Sequence, residues 1–195
     1  MVGGVDGDRD MMQGSRTHYC LFDTAIGICG VAWSARGVVR LQLPESNPDT
    51  TEARLARQAT KAVTLLPPAI EETIDQLQSY AGGHREDFSA IILDLTGIAA
   101  FEQSVYAVAR TIPFGETLSY GEIARQIEAP DAARAVGQAL GRNPIPIIIP
   151  CHRILAKGHR IGGFSAPGGA RTKERLLALE GVHMDGGMPL LPGFA

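Results

Sequence analysis

The residues with the most chemical promise lie in one stretch, Asn143-Pro144-Ile145-Pro146-Ile147-Ile148-Ile149-Pro150-Cys151-His152-Arg153. A β-branched run bracketed by prolines is expected to be extended, buried and stiff, so that Cys151 is held rather than mobile. A cysteine in apolar surroundings is usually a small, inert hydrophobe with a raised pKa. Its neighbours argue for reactivity. The His152 imidazole can remove the thiol proton, directly or through water, and a nearby cation such as Arg153 favours the thiolate. Glu180 is a candidate to orient the histidine and stabilise its charged form, as the third member of a triad does. It closes a helix expected over Ala170–Leu179 and ended by Gly181, where a carboxylate opposes the helix dipole. A local rule broken near a candidate site is a functional signal. The competing reading is a solvated Glu180, and an adjacent Cys–His pair alone is weak evidence.

Other elements must hold these residues in place. Three β-like stretches come first, His18–Asp23, Ile28–Ser34 and Val38–Leu43, separated by glycine-containing turns. Helices are expected over Thr51–Val63 and Ala69–Tyr80, the second ended by Gly82-Gly83, with a further strand over Phe88–Leu95. Ala99–Thr111 reads as a helix with Phe101, Val105, Val108 and Ala109 on one face. Ser119 and Glu122 form a capping box for the next helix, in which Tyr120, Ile123, Ala124 and Ile127 recur at helical spacing. Pro130 ends it, Asp131 can cap its successor, and Ala133, Val136, Gly137 and Leu140 repeat the spacing. Two short helices joined by a tight turn suggest a helix-turn-helix, although such pairs are more often plain packing. The second helix is slim, with Ala132, Ala133, Ala135, Gly137 and Ala139, and Arg134 and Arg142 project among them. Such a helix could approach a minor groove, where shape dominates readout. Tyr120, on an apolar face, is more often core than catalytic.

The totals set bounds. With 195 residues, 45% hydrophobic and 20% charged, the chain is long enough for one large domain or two small ones. No apolar run is long enough to span a membrane. The N-terminal stretch lacks the apolar region of a signal peptide and reads as a loose tail. Cys20, Cys29 and Cys151 are too few and unpaired for a disulfide framework, which favours a reducing cytoplasm. Cys20, Cys29 and His18 lack paired ligand spacing, so no metal is expected. The net charge of -3 does not advertise nucleic-acid binding, but it is uneven: residues 1–100 carry eight Lys+Arg against thirteen Asp+Glu, and residues 101–181 carry ten against seven. The C-terminal half could meet phosphates, though so small a surplus also arises by chance.

Pro150-Cys151-His152-Arg153 resembles the active-site signature of the methylated-DNA–protein-cysteine methyltransferases, the O6-alkylguanine-DNA alkyltransferases. The likeness extends to Ile112-Pro113 with Gly115, Thr117 and Ser119-Tyr120-Gly121, to Arg134-Ala135-Val136-Gly137, to Asn143-Pro144, and to Leu176-Leu177 with Leu179-Glu180-Gly181. It is strong over Ile98–Gly181; over Tyr19–Leu95 only the order of elements is similar. The resemblance implies an α+β fold. A ribonuclease-H-like domain with a small antiparallel sheet would occupy 18–96, and a helix-turn-helix, winged-helix-like domain 97–184, with tails at 1–17 and 185–195. It implies Cys151 as alkyl acceptor, His152 as its base through a bound water, Glu180 behind the histidine, and Asn143 holding the active-site turn. Tyr120 would donate a proton to the leaving guanine and help rotate the phosphate. Arg134 would enter the base stack, with Ala133, Gly137, Arg142 and Ser119 at the DNA surface. Ser165 and Phe164 would wall the substrate pocket, and the carbonyls of Cys151 and Ile154 would accept from the guanine amino group. The expected partner is double-stranded DNA containing O6-alkylguanine, with O4-alkylthymine as a second candidate lesion, met by a monomer without cofactor.

Two departures stand out. Phe164 replaces the tyrosine of the commonest members, and the loop Gly162–Gly169 is about two residues longer. The zinc ligands of the family's animal members have no full counterpart. Three rival readings are weaker. Non-enzymatic alkyltransferase-like proteins replace the cysteine that this chain keeps. A regulator sensing alkylation would need a further sensor domain and a more basic surface. A thiol hydrolase would need an oxyanion hole and an acyl-binding groove.

Overall fold

The computed structural model describes residues 16–63, 65–158 and 160–183. The expected tails at 1–17 and 185–195 lie outside them, apart from Arg16 and Thr17. Strands β1 (His18–Thr24), β2 (Gly27–Ser34) and β3 (Gly37–Gln42) form an antiparallel meander, with Phe22 opposite Cys29 and Val31 opposite Leu41. Tight turns join them, and Gly27 takes the positive φ of 116° that the first requires. β2 is buried on both faces. Phe22, Cys29, Val31 and Trp33 join the main core, while Tyr19, Ala32 and Leu55 form a second cluster on the other side.

Helix α1 (Pro48–Ala56) starts earlier and ends sooner than Thr51–Val63. Asn47 caps it by accepting from Thr50 N–H at 2.8 Å, and Pro48 fits the first turn, where no N–H is needed. It stops because Gln58 and Ala59 both donate to the Leu55 carbonyl, after which β4 (Thr60–Lys61) pairs with β1. That pairing is parallel, so the sheet, ordered β3-β2-β1-β4, is mixed rather than wholly antiparallel. Helix α2 (Pro68–Ala81) agrees with expectation. Phe88–Leu95 is not a strand. Asp87 holds a turn at Ser89, and the Arg110 guanidinium takes the carbonyls of Phe88, Ser89 and Ile91 at 2.9–3.0 Å, leaving one bridge from Leu93 to Val38.

In the second half, α3 (Ala100–Arg110) buries Val105, Tyr106 and Ala109, whereas Phe101, at 37% exposure, lies off the covered face. Short β5 (Leu118–Ser119) leads into α4 (Tyr120–Gln126), and the capping box is present: Ser119 Oγ accepts from Glu122 N–H at 3.2 Å while Glu122 accepts from Ser119 N–H. A 3-10 turn, Pro130–Ala132, precedes α5 (Ala133–Gly141). Asp131 sits inside that turn and does not cap α5, which begins without a side-chain cap. Tyr106 Oη donates to the Ala139 carbonyl at 2.9 Å and pins α5 onto α3. Cys151–Arg153 form a second 3-10 turn, followed by β6 (Ile154–Leu155) and, after a loop, α6 (Ala170–Leu179). β6 pairs in parallel with β5, Leu118 against Ile154, which brings the start of α4 beside the cysteine turn.

The bend between α4 and α5 has a Schellman geometry. Ala129 N–H bonds the Ala124 carbonyl at 2.9 Å and Glu128 N–H bonds the Arg125 carbonyl at 3.0 Å, with Glu128 at φ 60°. A left-handed backbone costs a non-glycine residue about 1–2 kcal/mol. Glu128 is exposed, so Glu128→Gly should raise unfolding stability by about 1 kcal/mol in a urea titration. A loss of stability would show that the side chain has a favourable role that the turn does not explain.

Candidate active site

The segment from Asn143 to Cys151 is buried as expected but folded into turns rather than extended. Ile149 N–H returns to the Ile145 carbonyl at 2.9 Å, and Ile147 lies at φ 71°, a conformation that branched side chains rarely adopt. Asn143 stitches the loop from inside. Its Oδ1 accepts from Ile145 N–H at 2.9 Å, and its Nδ2 donates to the Ile149 carbonyl at 2.8 Å and to Cys151 Sγ at 3.2 Å. Cys151 is 7% exposed. Burial pushes its thiol above the usual range, opposed by the Asn143 amide, by the charge of Lys173 and by the backbone N–H groups of Cys151 and His152. The sulfur is thus desolvated yet supplied with groups that stabilise a thiolate.

His152 is fully buried. Its Nε2 stands 2.7 Å from Glu180 Oε1, and its Nδ1 is buried with no partner among the described residues. Burial lowers the imidazole pKa against the opposing pull of Glu180, so the ring is neutral at pH 7. Since the carboxylate only accepts, the ring proton is assigned to Nε2, leaving Nδ1 a free lone pair that can take a proton.

Glu180 is the C-cap of α6 but not a solvated one, because its side chain is fully buried. Arg153 grips it with Nε at 2.9 Å from Oε2 and Nη2 at 3.0 Å from Oε1, Tyr80 Oη donates to Oε1 at 2.7 Å, and Gly115 N–H donates to Oε2 at 3.1 Å. Burial pushes its carboxyl up, but the bonds from His152 and Arg153 outweigh this and hold it at about 2. Arg153 is therefore the counter-ion of Glu180, its Nη1 bonding the Ile112 carbonyl at 2.6 Å, and is not the cation expected beside the thiolate. That position belongs to Lys173, which is fully buried. Its Nζ donates to the Ile154 carbonyl and lies 5.8 Å from the Tyr120 ring centroid. Burial brings Lys173 down to about 8, with the Cys151 charge acting in the opposite direction.

Cys151 opens into a cavity of about 530 Å³ lined by Tyr120, Ala133, Arg134, Gly137, Phe164 and Ser165, among others. Six expected site residues thus share one cleft with the cysteine. Tyr120 is half-buried there, and the loop passes so close that a Cβ on Gly162 would stand 2.7 Å from its hydroxyl. Three others lie outside. Ser119 serves the capping box, Arg142 is held on the surface by Glu102 at 2.6 Å, and Ile154 is buried behind the cleft with its carbonyl facing Lys173. Tyr80 and Lys173 were not visible as site residues in the sequence. For Lys173 a signal existed: Lys173, Leu176, Leu177 and Glu180 follow one buried helical face at i, i+3, i+4, i+7. Tyr80 lies on the buried face of α2 with Thr73 and Leu77, which reads as core, and its polar partners lie 72 and 100 positions away. Among the described residues, no group of three or more His, Cys, Asp and Glu is placed to hold a metal ion.

With this geometry in view, likeness to known proteins is informative. The sequence profile of the 6-O-methylguanine DNA methyltransferase DNA-binding domain matches residues 100–182. The methylated-DNA–protein-cysteine methyltransferase of Mycobacterium tuberculosis is 39% identical over 163 residues, covering 84% of this chain and 92% of that protein. Its counterpart from Mycolicibacterium paratuberculosis is 46% identical over 124 residues, 64% of this chain and 73% of that one. The crystal structure of Mycobacterium tuberculosis OGT in complex with DNA superposes with a TM-score of 0.67 at 40% identity, covering 84% of this chain and 92% of that one. The O6-methylguanine-DNA methyltransferase of Pyrococcus kodakaraensis gives 0.63 at 25% identity, covering 85% and 99%. The chain belongs to the methylated-DNA–protein-cysteine methyltransferase family.

Two outcomes test the charge network. The Glu180 carboxyl lies lower folded, at about 2, than its ordinary 4.5. Its contribution to stability is therefore complete above about 4.5 and lost as pH falls towards about 2. Glu180→Gln should flatten the stability–pH curve across that window; an unchanged slope would mean other groups titrate there. Tyr80→Phe removes one donor from a buried carboxylate and should lower stability by about 1–3 kcal/mol, read by chemical denaturation. A neutral result would deny Tyr80 any part in holding Glu180.

Proposed function

We propose that this protein repairs alkylated DNA directly, by taking the alkyl group from O6 of guanine irreversibly onto Cys151. The observation that carries this reading is the desolvated sulfur at the floor of a cleft, held by Asn143 and adjacent to a neutral histidine backed by a buried carboxylate. The alkyl carbon of O6-alkylguanine is an electrophile within a stacked duplex, so the nucleotide must rotate out to reach the cleft. Exposed Arg134 on the slim α5 is suited to fill the vacated stack, with Ala133 and Gly137 allowing close approach. His152 Nδ1 takes the thiol proton through a bound water, and Glu180 stabilises the imidazolium. The S–C bond forms as the C–O6 bond breaks, and the Tyr120 hydroxyl gives a proton to the departing guanine. The imidazolium proton returns to Tyr120 through solvent, so the net change moves one proton from cysteine to guanine. A thioether has no hydrolytic exit, and each molecule acts once, as a monomer.

O4-alkylthymine presents the same alkyl–oxygen electrophile and is a second candidate substrate. The chain divides in this reading into a ribonuclease-H-like unit over 18–96 and a winged-helix-like unit over 97–184. A non-enzymatic lesion sensor on the same fold is disfavoured by the retained Cys151 with its Asn143 donor.

The test is intact-protein mass after mixing with a duplex carrying one O6-methylguanine. A gain of one CH2 unit, stoichiometric with the lesion and absent from Cys151→Ser, is expected. Tight lesion binding without mass gain would overturn alkyl transfer in favour of the sensor. Arg134→Ala should slow transfer to duplex DNA about tenfold or more, the scale of a lost stacking or charged contact, while sparing reaction with free O6-benzylguanine base. Equal loss on both would place Arg134 in the chemistry instead.

A further inference from the structure

Tyr80 stands in the last turn of α2, in the N-terminal half of the chain, yet its hydroxyl reaches the histidine next to Cys151. Its side chain is fully buried, and edge-on contacts fix the ring, with Phe88 at 5.6 Å between centroids and Phe114 at 6.1 Å. From that position Oη donates to Glu180 Oε1 at 2.7 Å and lies 3.2 Å from His152 Nε2. A hydroxyl whose ring is locked by packing is held in one direction.

A hydroxyl has one proton to donate. Tyr80 commits it to the carboxylate, so towards His152 its oxygen can only accept. Both neighbours of Nε2, Glu180 Oε1 and Tyr80 Oη, are therefore acceptors, and Nε2 must carry the ring proton. The same arrangement limits the carboxylate. Oε1 already takes bonds from Tyr80 and from Arg153 Nη2 at 3.0 Å, and each donor to an anion reduces what it can offer another cation. Around the imidazole, Arg153 in the same turn and Lys173 on α6 oppose a positive charge, Glu180 favours one, and Cys151 is the adjoining thiol. Tyr80 is the group from α2 that sets how much of the Glu180 charge remains for the ring. Burial and the Glu180 charge push its phenol well above the ordinary range, so the hydroxyl keeps its proton.

We propose, on the basis of the alkyl-transfer reading above, that Tyr80 is a positioning residue for His152, holding the ring proton on Nε2 and tempering the pull of Glu180, so that Nδ1 is a free lone pair in the resting protein. Nδ1 takes the thiol proton, Nε2 keeps its own, and Glu180 steadies the resulting imidazolium without removing a proton from it. A carboxylate free of Tyr80 would hold the ring in its charged form to higher pH, and a charged ring has no lone pair for the thiol proton. The helix that carries Tyr80 lies outside residues 100–182 matched by the DNA-binding-domain profile, so the base is completed from beyond that domain.

The experiment reads His152 in two ways, with the full chain, Tyr80→Phe, and Tyr80 replaced by 3-fluorotyrosine, a stronger donor that keeps the hydroxyl in place. The first is nitrogen NMR of labelled histidine against pH, which needs no DNA. The unaltered protein should show a neutral ring protonated at Nε2. Tyr80→Phe should move the His152 titration up by about one pH unit, the scale of a hydrogen bond to a charged group, and the fluorinated ring should move it down. The second is the pH dependence of single-turnover transfer from an O6-methylguanine duplex, where the acid limb reports the base. That limb should shift with the NMR titration, leaving Tyr80→Phe about tenfold slower below it and little changed above. A proton at Nδ1, an unmoved titration, or a shift in the same direction for both variants overturns the role of Tyr80. Equal slowing at every pH does so too, because loosened packing alone would give it. Absence of transfer by the unaltered protein overturns the alkyl-transfer reading instead, and the NMR titration still decides Tyr80.

Discussion

One buried carboxylate organises this molecule. A carboxylate alone in an apolar interior is several kcal/mol unfavourable, and only charge-assisted bonds in good geometry compensate. Glu180 collects them from α2, from the turn at Gly115, and from both residues after Cys151. The donors lie on three separate stretches of chain, so the anion can be satisfied only when those stretches are assembled. The last turn of α6 must therefore stop at Glu180 despite the unfavourable dipole there. The same demand fixes the ring of His152 and consumes the charge of Arg153.

Cys151 lives under the opposite regime. Among the described residues nothing pairs with Cys151 as Arg153 pairs with Glu180; the sulfur has the Asn143 amide, two backbone N–H groups and a lysine charge against its burial. Such a thiol keeps its proton at rest and gives it up when a base and an electrophile are both at hand. Lys173 contributes from behind, bound to the Ile154 carbonyl and near the Tyr120 ring, so the tyrosine and the sulfur share one cation.

What the sequence made legible follows the range of the forces involved. The Ser119–Glu122 box, the helix from Pro68 and the glycine turns are written in neighbours and could be read directly. Cys151, His152 and Glu180 stood out because polar residues broke an apolar or helical pattern. The extended reading of 143–150 failed because the side chain of Asn143 closes an Asx-turn and reaches the Ile149 carbonyl, so the turn signal of Asn143-Pro144 outweighs the β-branched run. The strand expected over Phe88–Leu95 lost to Arg110, nineteen to twenty-two positions away, which captured its carbonyls. Arg153 was assigned to the wrong anion for the same reason. Sequence adjacency placed it beside the sulfur, whereas geometry placed it on a carboxylate 27 positions off.

Ile147 has a consequence of another kind. Its backbone sits at φ 71° while its side chain is 2% exposed, within the turn that presents the cysteine. Glycine would relax the backbone and leave a hole in a close-packed interior. Any branched replacement would fill the hole and keep the torsion. No single exchange improves both, so the position is a local optimum with a fixed cost. A lineage that has settled on a bulky residue here has no one-step exit, and the stiffness of the cysteine's turn is inherited along with it.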